Sequence, residues 1–436
     1  MSPSRFRFTG SLGTVNERLT ELFDRATSSD PVIRARTAQI IQRVRAHGDA
    51  ALIELAHQLD DVSLTALEVP RHEQDRALAG LEPAVRGAME RAARNIAAVH
   101  RAMLPAVIEV EVEPGITVGR RADPLGAVGV YAPGGRAAYP SSVLMGAIPA
   151  RVAGVGSVIL CSPPSGGALP SPFVLAAAAL AGVDRVFAIG GAGAVAAMAF
   201  GTETVPRVDR VVGPGNAYVT EAKLQVCGTV GIDAPAGPSE LLIIAGTDAP
   251  VDIIAREAIA QAEHDPRASV VIVALGAAGA EQIGCALETL LPDTPRFGTV
   301  RESLASRGAL LWCDGVGEAL AFAARYAPEH LLLVGAECER SVPNVRHAGT
   351  VFVGASSSVA FGDYLTGANH VLPTGGAARA YSGLSTLDFL RWTTYQRITP
   401  AAAAGLATDV ERFACAEGLP AHAAAAAAWR ERRDTP

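Results

Sequence analysis

From Leu125 onward, short unbroken apolar runs alternate with longer stretches of helical period. The runs cover 127–132 (AVGVYA), 157–162, 185–190 and 209–213, then 241–246, 269–275, 309–313, 330–335 and 350–354. Between them the spacing predicts helices over 141–153, 172–182, 194–200 and 216–226, then 250–264, 277–290 and 316–326. Strands with no polar alternation are strands covered on both faces, and their alternation with helices means parallel sheets. Two consecutive series predict two doubly wound units joined near Pro235–Ser239. The first 104 residues read as helical. Ser28-Ser29-Asp30-Pro31 offers an N-cap and a proline for the first helical position, and Ile33, Ile40, Ile41 and Val44 follow at helical spacing. A second helical stretch runs over 71–101, interrupted near Pro83, and residues 107–119 alternate around Pro114-Gly115 as a hairpin. Residues 380–436 read as a strand followed by helices, including the alanine run Ala423–Ala428, with little core of their own. Such a segment is expected to pack on another surface, that of a partner subunit.

Composition narrows the function class. Lysine plus arginine total 37 against 44 aspartate plus glutamate, a net charge of -7 without a long basic run. Nucleic-acid binding is therefore not expected, because phosphate recognition needs clustered cations. At 49% hydrophobic and 19% charged the chain is far from a disordered composition. No apolar run reaches the ~20 residues of a membrane helix, and the first residues show no apolar leader core, so a cytoplasmic enzyme is expected. Six scattered cysteines without a CxxC pair read as reduced, mostly buried thiols.

Open parallel sheets bind ligands beyond the carboxyl ends of their strands, so candidate chemistry is sought just after each strand. Gly191, Gly193 and Ala196 satisfy GxGxxG/A after the 185–190 run, with Asp209 near the spacing of a ribose-binding acid. The pattern fits a dinucleotide fingerprint or a tight strand-to-helix turn equally well. Two further glycine turns, Tyr131–Gly135 and Gly213–Asn216, also follow strands, which suggests an anion or nucleotide site in this half. The second half carries metal-type residues. Gln261 and His264 are three apart on the last turn of helix 250–264; Asp363 lies in a glycine-flanked turn; His370 and His422 follow. Imidazole and carboxylate suit zinc, whereas spacing alone does not prove a metal. Glu329-His330 opens the 330–335 strand, an acid next to an imidazole that titrates near neutrality. His47, His57, His72, His100 and His347 read as structural or surface residues.

Seven segments, in order, carry a resemblance: 130–155, VVGPGNAYVTEAK (211–223), PAGPSE (235–240), QAEHDP (261–266), APEHL (327–331), GDYLTGANHVLPTGG (362–376) and AEGLPAH (416–422). Over nearly its whole length the chain resembles the histidinol dehydrogenase family. The resemblance implies a homodimer with shared active sites, one zinc per subunit and NAD as cofactor, oxidising L-histidinol to L-histidine through L-histidinal with two NAD. It implies zinc ligands at Gln261, His264, Asp363 and His422, His330 as the general base and Glu329 as the activator of water. Ser239, His370 and Glu417 match substrate contacts, joined by the four metal ligands and His330 in the substrate site. Tyr131 and Asn216 match NAD contacts, as does Gly193, where the family usually has glutamine. Gly146 and Val359 stand where asparagine and glutamate are common. The implied organisation is N-terminal helices and hairpin packing on the core (1–124), a Rossmann-like NAD domain (125–236), a Rossmann-like zinc and substrate domain (237–380) and a C-terminal dimerisation segment (381–436). Two alternatives stay open: a paralogous zinc and NAD dehydrogenase for another amino or hydroxy alcohol, and a non-redox zinc-binding homologue.

Overall fold

The computed structural model describes residues 6–13, 19–25, 30–134 and 138–430. In chain order the strands are β1 (Phe8–Ser11), β2 (Glu68–Val69), β3 (Ile108–Glu113), β4 (Ile116–Pro124), β5 (Ala127–Tyr131), β6 (Ser157–Cys161), β7 (Arg185–Phe187), β8 (Arg210–Val212), β9 (Gly231–Ile232), β10 (Glu240–Ala245), β11 (Ser269–Leu275), β12 (Ala309–Cys313), β13 (His330–Val334), β14 (Thr350–Val353) and β15 (Leu390–Ile398). They build two six-stranded sheets, ordered β2-β7-β6-β5-β8-β9 and β1-β12-β11-β10-β13-β14. All pairs are parallel except β2 with β7. Apart from β1 and β2 at the edges, in each sheet the chain starts at the middle, at β5 or β10, winds two strands to one side and then crosses to the other. This is the doubly wound α/β arrangement that the apolar runs predict. In the second sheet, Leu241, Ile243, Val270 and Ile272 enter one core layer while Leu242, Ile244, Val271 and Val273 enter the other. Burial on both faces is why these strands read as unbroken apolar runs.

The N-terminal region differs from its purely helical reading. It adds β1 to the edge of the second sheet and β2 to the edge of the first. Two and four residues are too few to show a period of two. Asp30 caps the long helix Pro31–Asp60, its Oδ1 accepting from Val32 N at 2.8 Å; Ser28 and Ser29 lie outside the described residues. That helix is broken at Gly48, with φ 49° and ψ -130°, a region essentially closed to other residues. A Cβ there would also collide with the Glu203 carboxylate. Gly48→Ala is accordingly expected to cost at least about 1–3 kcal/mol from the backbone alone, read as a lowered midpoint in urea unfolding.

Three of the cysteines, Cys161, Cys313 and Cys338, are buried, whereas Cys227, Cys285 and Cys415 are exposed, so the thiols are less buried than expected, though all six are free. His100 is the histidine with a structural task. Buried at 1% exposure, it accepts the Thr386 N–H on Nδ1 at 3.3 Å, and burial pushes its pKa down to about 4. The unfolded chain therefore takes up this proton first. Stability from His100 is complete above about pH 6.5 and is lost as pH falls toward 4, to a total of about 3 kcal/mol. Unfolding free energies of wild type and His100→Gln across that window should converge as the pH falls.

A second compact unit comprises residues 104–124 and 390–430 of the described chain. Its antiparallel sheet is ordered β15-β4-β3, followed by helices Pro400–Ala416 and Pro420–Ala427. Every residue of β3 is exposed, including Ile108, Val110 and Val112. No helix among the described residues is long and apolar enough to cross a membrane.

Candidate active site

The first sheet holds a cavity at the carboxyl ends of β5, β6 and β7, and beside β8. Its volume is about 570 Å³, and Tyr131, Pro163, Gly191, Gly193 and Asn216 are among the residues that line it. β5 and β8 flank the point where the strand order reverses, the place where doubly wound sheets bind ligands. Asn216 caps helix Ala217–Val226, its Oδ1 accepting from Tyr218 N at 3.0 Å, and the Tyr131 hydroxyl accepts the Gly191 N–H at 3.1 Å. The structure thus brings Tyr131, Asn216 and Gly193 around one cavity. Gly193 does not leave an open gap. A Cβ there would meet Leu55 and Leu52 at 3.2 and 3.3 Å, so the missing side chain lets helix Pro31–Asp60 approach. At Gly146, likewise, a Cβ would stand 2.7 Å from Val130. Asp209 is not a ribose acid here. It sits before β8, at the opposite end of the sheet, and its Oδ2 accepts from Gly126 N and Ala127 N, each at 2.9 Å.

Glu329 and His330 lie elsewhere than beyond the carboxyl ends of strands. Glu329 and His330 stand at the amino end of β13, beside Ser239 and Glu240 at the amino end of β10. Glu240 is the hub. Its N–H donates to Glu329 Oε2 at 2.7 Å, and its carbonyl oxygen lies 3.0 Å from His330 Nδ1. Its carboxylate accepts from Gly375 N at 2.9 Å and pairs with the buried Arg25 guanidinium, which also covers the Tyr326 ring. A carbonyl only accepts, so His330 Nδ1 must carry the proton. Nε2 then holds a free lone pair, and it is buried without a hydrogen-bond partner. Burial pushes the His330 pKa down to about 4 and keeps the ring neutral at pH 7. Glu329 is driven well above the ordinary carboxylate range, chiefly by desolvation, while the Glu240 N–H and the Ser239 hydroxyl oppose the rise.

Around this lone pair gather the other residues. Asp363 Oδ1 lies 3.8 Å from His330 Nε2. Its pKa is raised to about 6 by burial and then by the Glu257 charge. Asp363 belongs to the short helix Val359–Tyr364, not to a turn. His370 Nδ1 donates to the Asp363 carbonyl at 2.9 Å, and its Nε2 faces the Ser142 hydroxyl at 3.5 Å. Asn369 donates to the Met145 carbonyl at 2.8 Å, which ties this loop to the helix that leaves β5. Gln261 is buried with its Nε2 unpartnered. His264 lies beyond the end of helix Val251–Ala262, two residues before Pro266, not on its last turn. It keeps an open face to solvent, yet desolvation on its protein side still holds its pKa below the ordinary value. No cluster of three His, Cys, Asp or Glu able to hold a metal occurs among the described residues. Glu417 and His422 are exposed in the second unit, at the end of helix Pro400–Ala416 and within Pro420–Ala427.

Three residues escaped the sequence reading. Glu257 is buried one helical turn before Gln261, and its Oε2 accepts from Val359 N at 3.1 Å. The i,i+4 spacing of Glu257 and Gln261 was the available signal. Arg25 and Glu240 meet only in three dimensions.

A buried imidazole with a free lone pair, an adjacent carboxyl group and a separate cavity at a doubly wound switch point are parts that an oxidoreductase of the dehydrogenase class can use. Comparison makes this particular. The family model for histidinol dehydrogenase matches residues 23–430. A histidinol dehydrogenase of Methanothermobacter thermautotrophicus is 45% identical over 93% of this chain and 95% of its own, and one of Nitrosomonas europaea is 45% identical over 94% and 95%. The crystal structure of histidinol dehydrogenase from Elizabethkingia anophelis superposes with a TM-score of 0.94 at 32% identity, covering 99% of both chains. The chain belongs to the histidinol dehydrogenase family.

Proposed function

We propose that this enzyme oxidises L-histidinol to L-histidine through L-histidinal, each step giving a hydride to one NAD. The observation that carries the reading is the buried His330 Nε2 lone pair, fixed by the Glu240 carbonyl at Nδ1 and placed 3.8 Å from Asp363 Oδ1, with Glu329 on the Nδ1 side of the ring. In the first step the lone pair takes the hydroxyl proton as the hydride leaves carbon. In the second, Glu329 accepts a proton from the water that adds to the aldehyde. Desolvation raises its pKa, which makes the carboxylate a stronger proton acceptor than an exposed one. The Ser239 hydroxyl holds the Glu329 carboxylate in place, and His370 sits where an amino alcohol meets the helix leaving β5.

The residues present fit a zinc ion. Gln261 brings a buried amide whose oxygen is its donor atom, His264 an open imidazole face, and Asp363 a half-buried carboxylate raised by desolvation and by a neighbouring charge. With His422 contributed by the partner subunit they make a mixed nitrogen and oxygen donor set. A bound zinc supplies a template for the amine and imidazole of the substrate. We assign 125–236 to NAD, 237–380 to zinc and substrate, and 381–436 to a homodimer in which Glu417 and His422 complete the partner's site, all in the cytoplasm. The exposed apolar residues of β3 and Phe413, 70% exposed, support an interface on that unit.

The test is the purified protein with zinc, NAD and L-histidinol, the product identified by chromatography. Two NADH per L-histidine formed supports the reading. NADH from another amino alcohol but not from L-histidinol would overturn the substrate. Elemental analysis of His264→Asn should show zinc lost from a folded protein.

A further inference from the structure

The cavity in the first sheet has one wall made by the end of helix Pro31–Asp60: Leu52, Leu55, Leu59 and, at the last helical position, Asp60. Asp60 runs against the electrostatics of its own helix, since a carboxylate in the last turn faces the negative end of the helix dipole. The carboxylate has no hydrogen bond or ion pair to the described residues, and partial burial raises its pKa with desolvation as the cause. It does reach electrostatically to the Tyr131 phenol, whose oxygen accepts the N–H of Gly191 where helix Gly191–Phe200 begins. Arg36 is the one cationic side chain among the described residues lining this cavity. Glu329, His330, Asp363 and His370 do not line it, so it suits the end of a dinucleotide that does not react.

A dinucleotide presents two kinds of polar group there. Its pyrophosphate is an anion and suits the free N–H groups of a helix start and a guanidinium. An unpartnered carboxylate suits only a donor, and the donors on the nucleotide's sugar are its hydroxyls. We propose that Asp60 determines cofactor choice: it accepts hydrogen bonds from the hydroxyls of the adenosine ribose and repels a phosphate on the 2′ position, so the enzyme takes NAD and rejects NADP. This rests on the assignment of the cavity to NAD. The leucines and Pro163 form the apolar surfaces between which the adenine lies, and Asp60, next along the helix from Leu59, stands at the sugar.

The test uses the full chain as wild type, Asp60→Asn, Asp60→Ala and Asp60→Glu. Binding of NAD and of NADP is measured by calorimetry, with steady-state rates for both. Asp60 is exposed at a helix end, so all four proteins are expected to fold, and unfolding midpoints check this. Wild type should favour NAD. Asp60→Asn and Asp60→Ala should lower the NAD:NADP affinity ratio by about tenfold or more, the worth of one hydrogen bond to a charged group. KM should move while kcat stays nearly constant, and Asp60→Glu should keep the wild-type preference. If wild type binds NAD but the ratio is the same in Asp60→Asn, the role of Asp60 is overturned and the cavity assignment stands. If wild type binds neither nucleotide, the assignment falls and the role of Asp60 falls with it.

Discussion

Replacing His330 by asparagine is expected to slow alcohol oxidation by about 10²–10⁴-fold, the usual worth of a general base. The amide restores a hydrogen bond to the Glu240 carbonyl but offers no basic lone pair where Nε2 now lies. Because the wild-type ring is neutral down to about pH 4, protonation of His330 should not limit the rate between pH 5 and 8. Any acid limb in that range then belongs to groups other than His330. Glu329→Gln should act differently, harming aldehyde oxidation more than the first hydride transfer. Single-turnover measurements with alcohol and with aldehyde separate the two. Near-normal rates for both substrates in both variants would make the pair structural.

The largest loss of stability is expected at Lys223. Its ammonium pairs with Asp233, and both side chains are almost fully buried, at 4% and 3% exposure. The pair also grips the loop after β8: Lys223 Nζ donates to the Gly213 carbonyl at 3.1 Å, and Asp233 Oδ2 accepts the Gly213 N–H at 2.7 Å. Gly213 has φ 117°, and three residues later Asn216 lines the cavity. Burial already raises the Asp233 pKa, and the lysine charge opposes that rise. Lys223→Met would leave a carboxylate without its cation, at a cost of about 3–5 kcal/mol. Urea unfolding should show this as a lower midpoint with an unchanged slope. A double variant, Lys223→Met with Asp233→Leu, should recover most of it, because an apolar pair carries no desolvation penalty.

How much of this was legible in the sequence varies by element. The central strands were readable to within a residue or two, except that β7 stops at Phe187 and the run continues to 190, because burial on both faces writes an unbroken apolar run. Strand β11 spans Ser269–Leu275 as the run predicts. Edge strands β1 and β2 were not, since short edge segments write no such pattern. Pro266 marked the end of the helix carrying Gln261, but the helix stops at Ala262, which leaves His264 on the following turn. The nucleotide-type cavity followed from glycine turns after strands. The Glu329–His330 pair stood out only by its dipeptide and motif, because it sits at the amino end of β13, where the strand-end rule does not look. Asp209 shows the reverse failure: its sequence spacing fits a ribose contact, but strand direction puts it at the wrong end of the sheet. Glu240 looked like one more residue of a proline-rich junction. Its part in fixing the histidine tautomer comes from backbone groups, which carry no residue signature.

Strand β1 has a consequence for how the chain is made. It pairs with β12, Phe8 lying beside Ala309, and Arg25 reaches a backbone carbonyl 301 residues further along. Synthesis on the ribosome delivers the N-terminal residues first, but their partners emerge only after roughly three quarters of the polypeptide. The first sheet can close its β5–β9 portion much earlier, from contacts within about a hundred residues. Long-range pairing is slow to form and leaves apolar edges open in the interval. The nascent protein should therefore carry a folded first sheet and an unsatisfied N-terminal strand together, a state suited to chaperone capture. Truncated nascent chains ending before residue 309 should be bound by such holdases far more strongly than the finished enzyme.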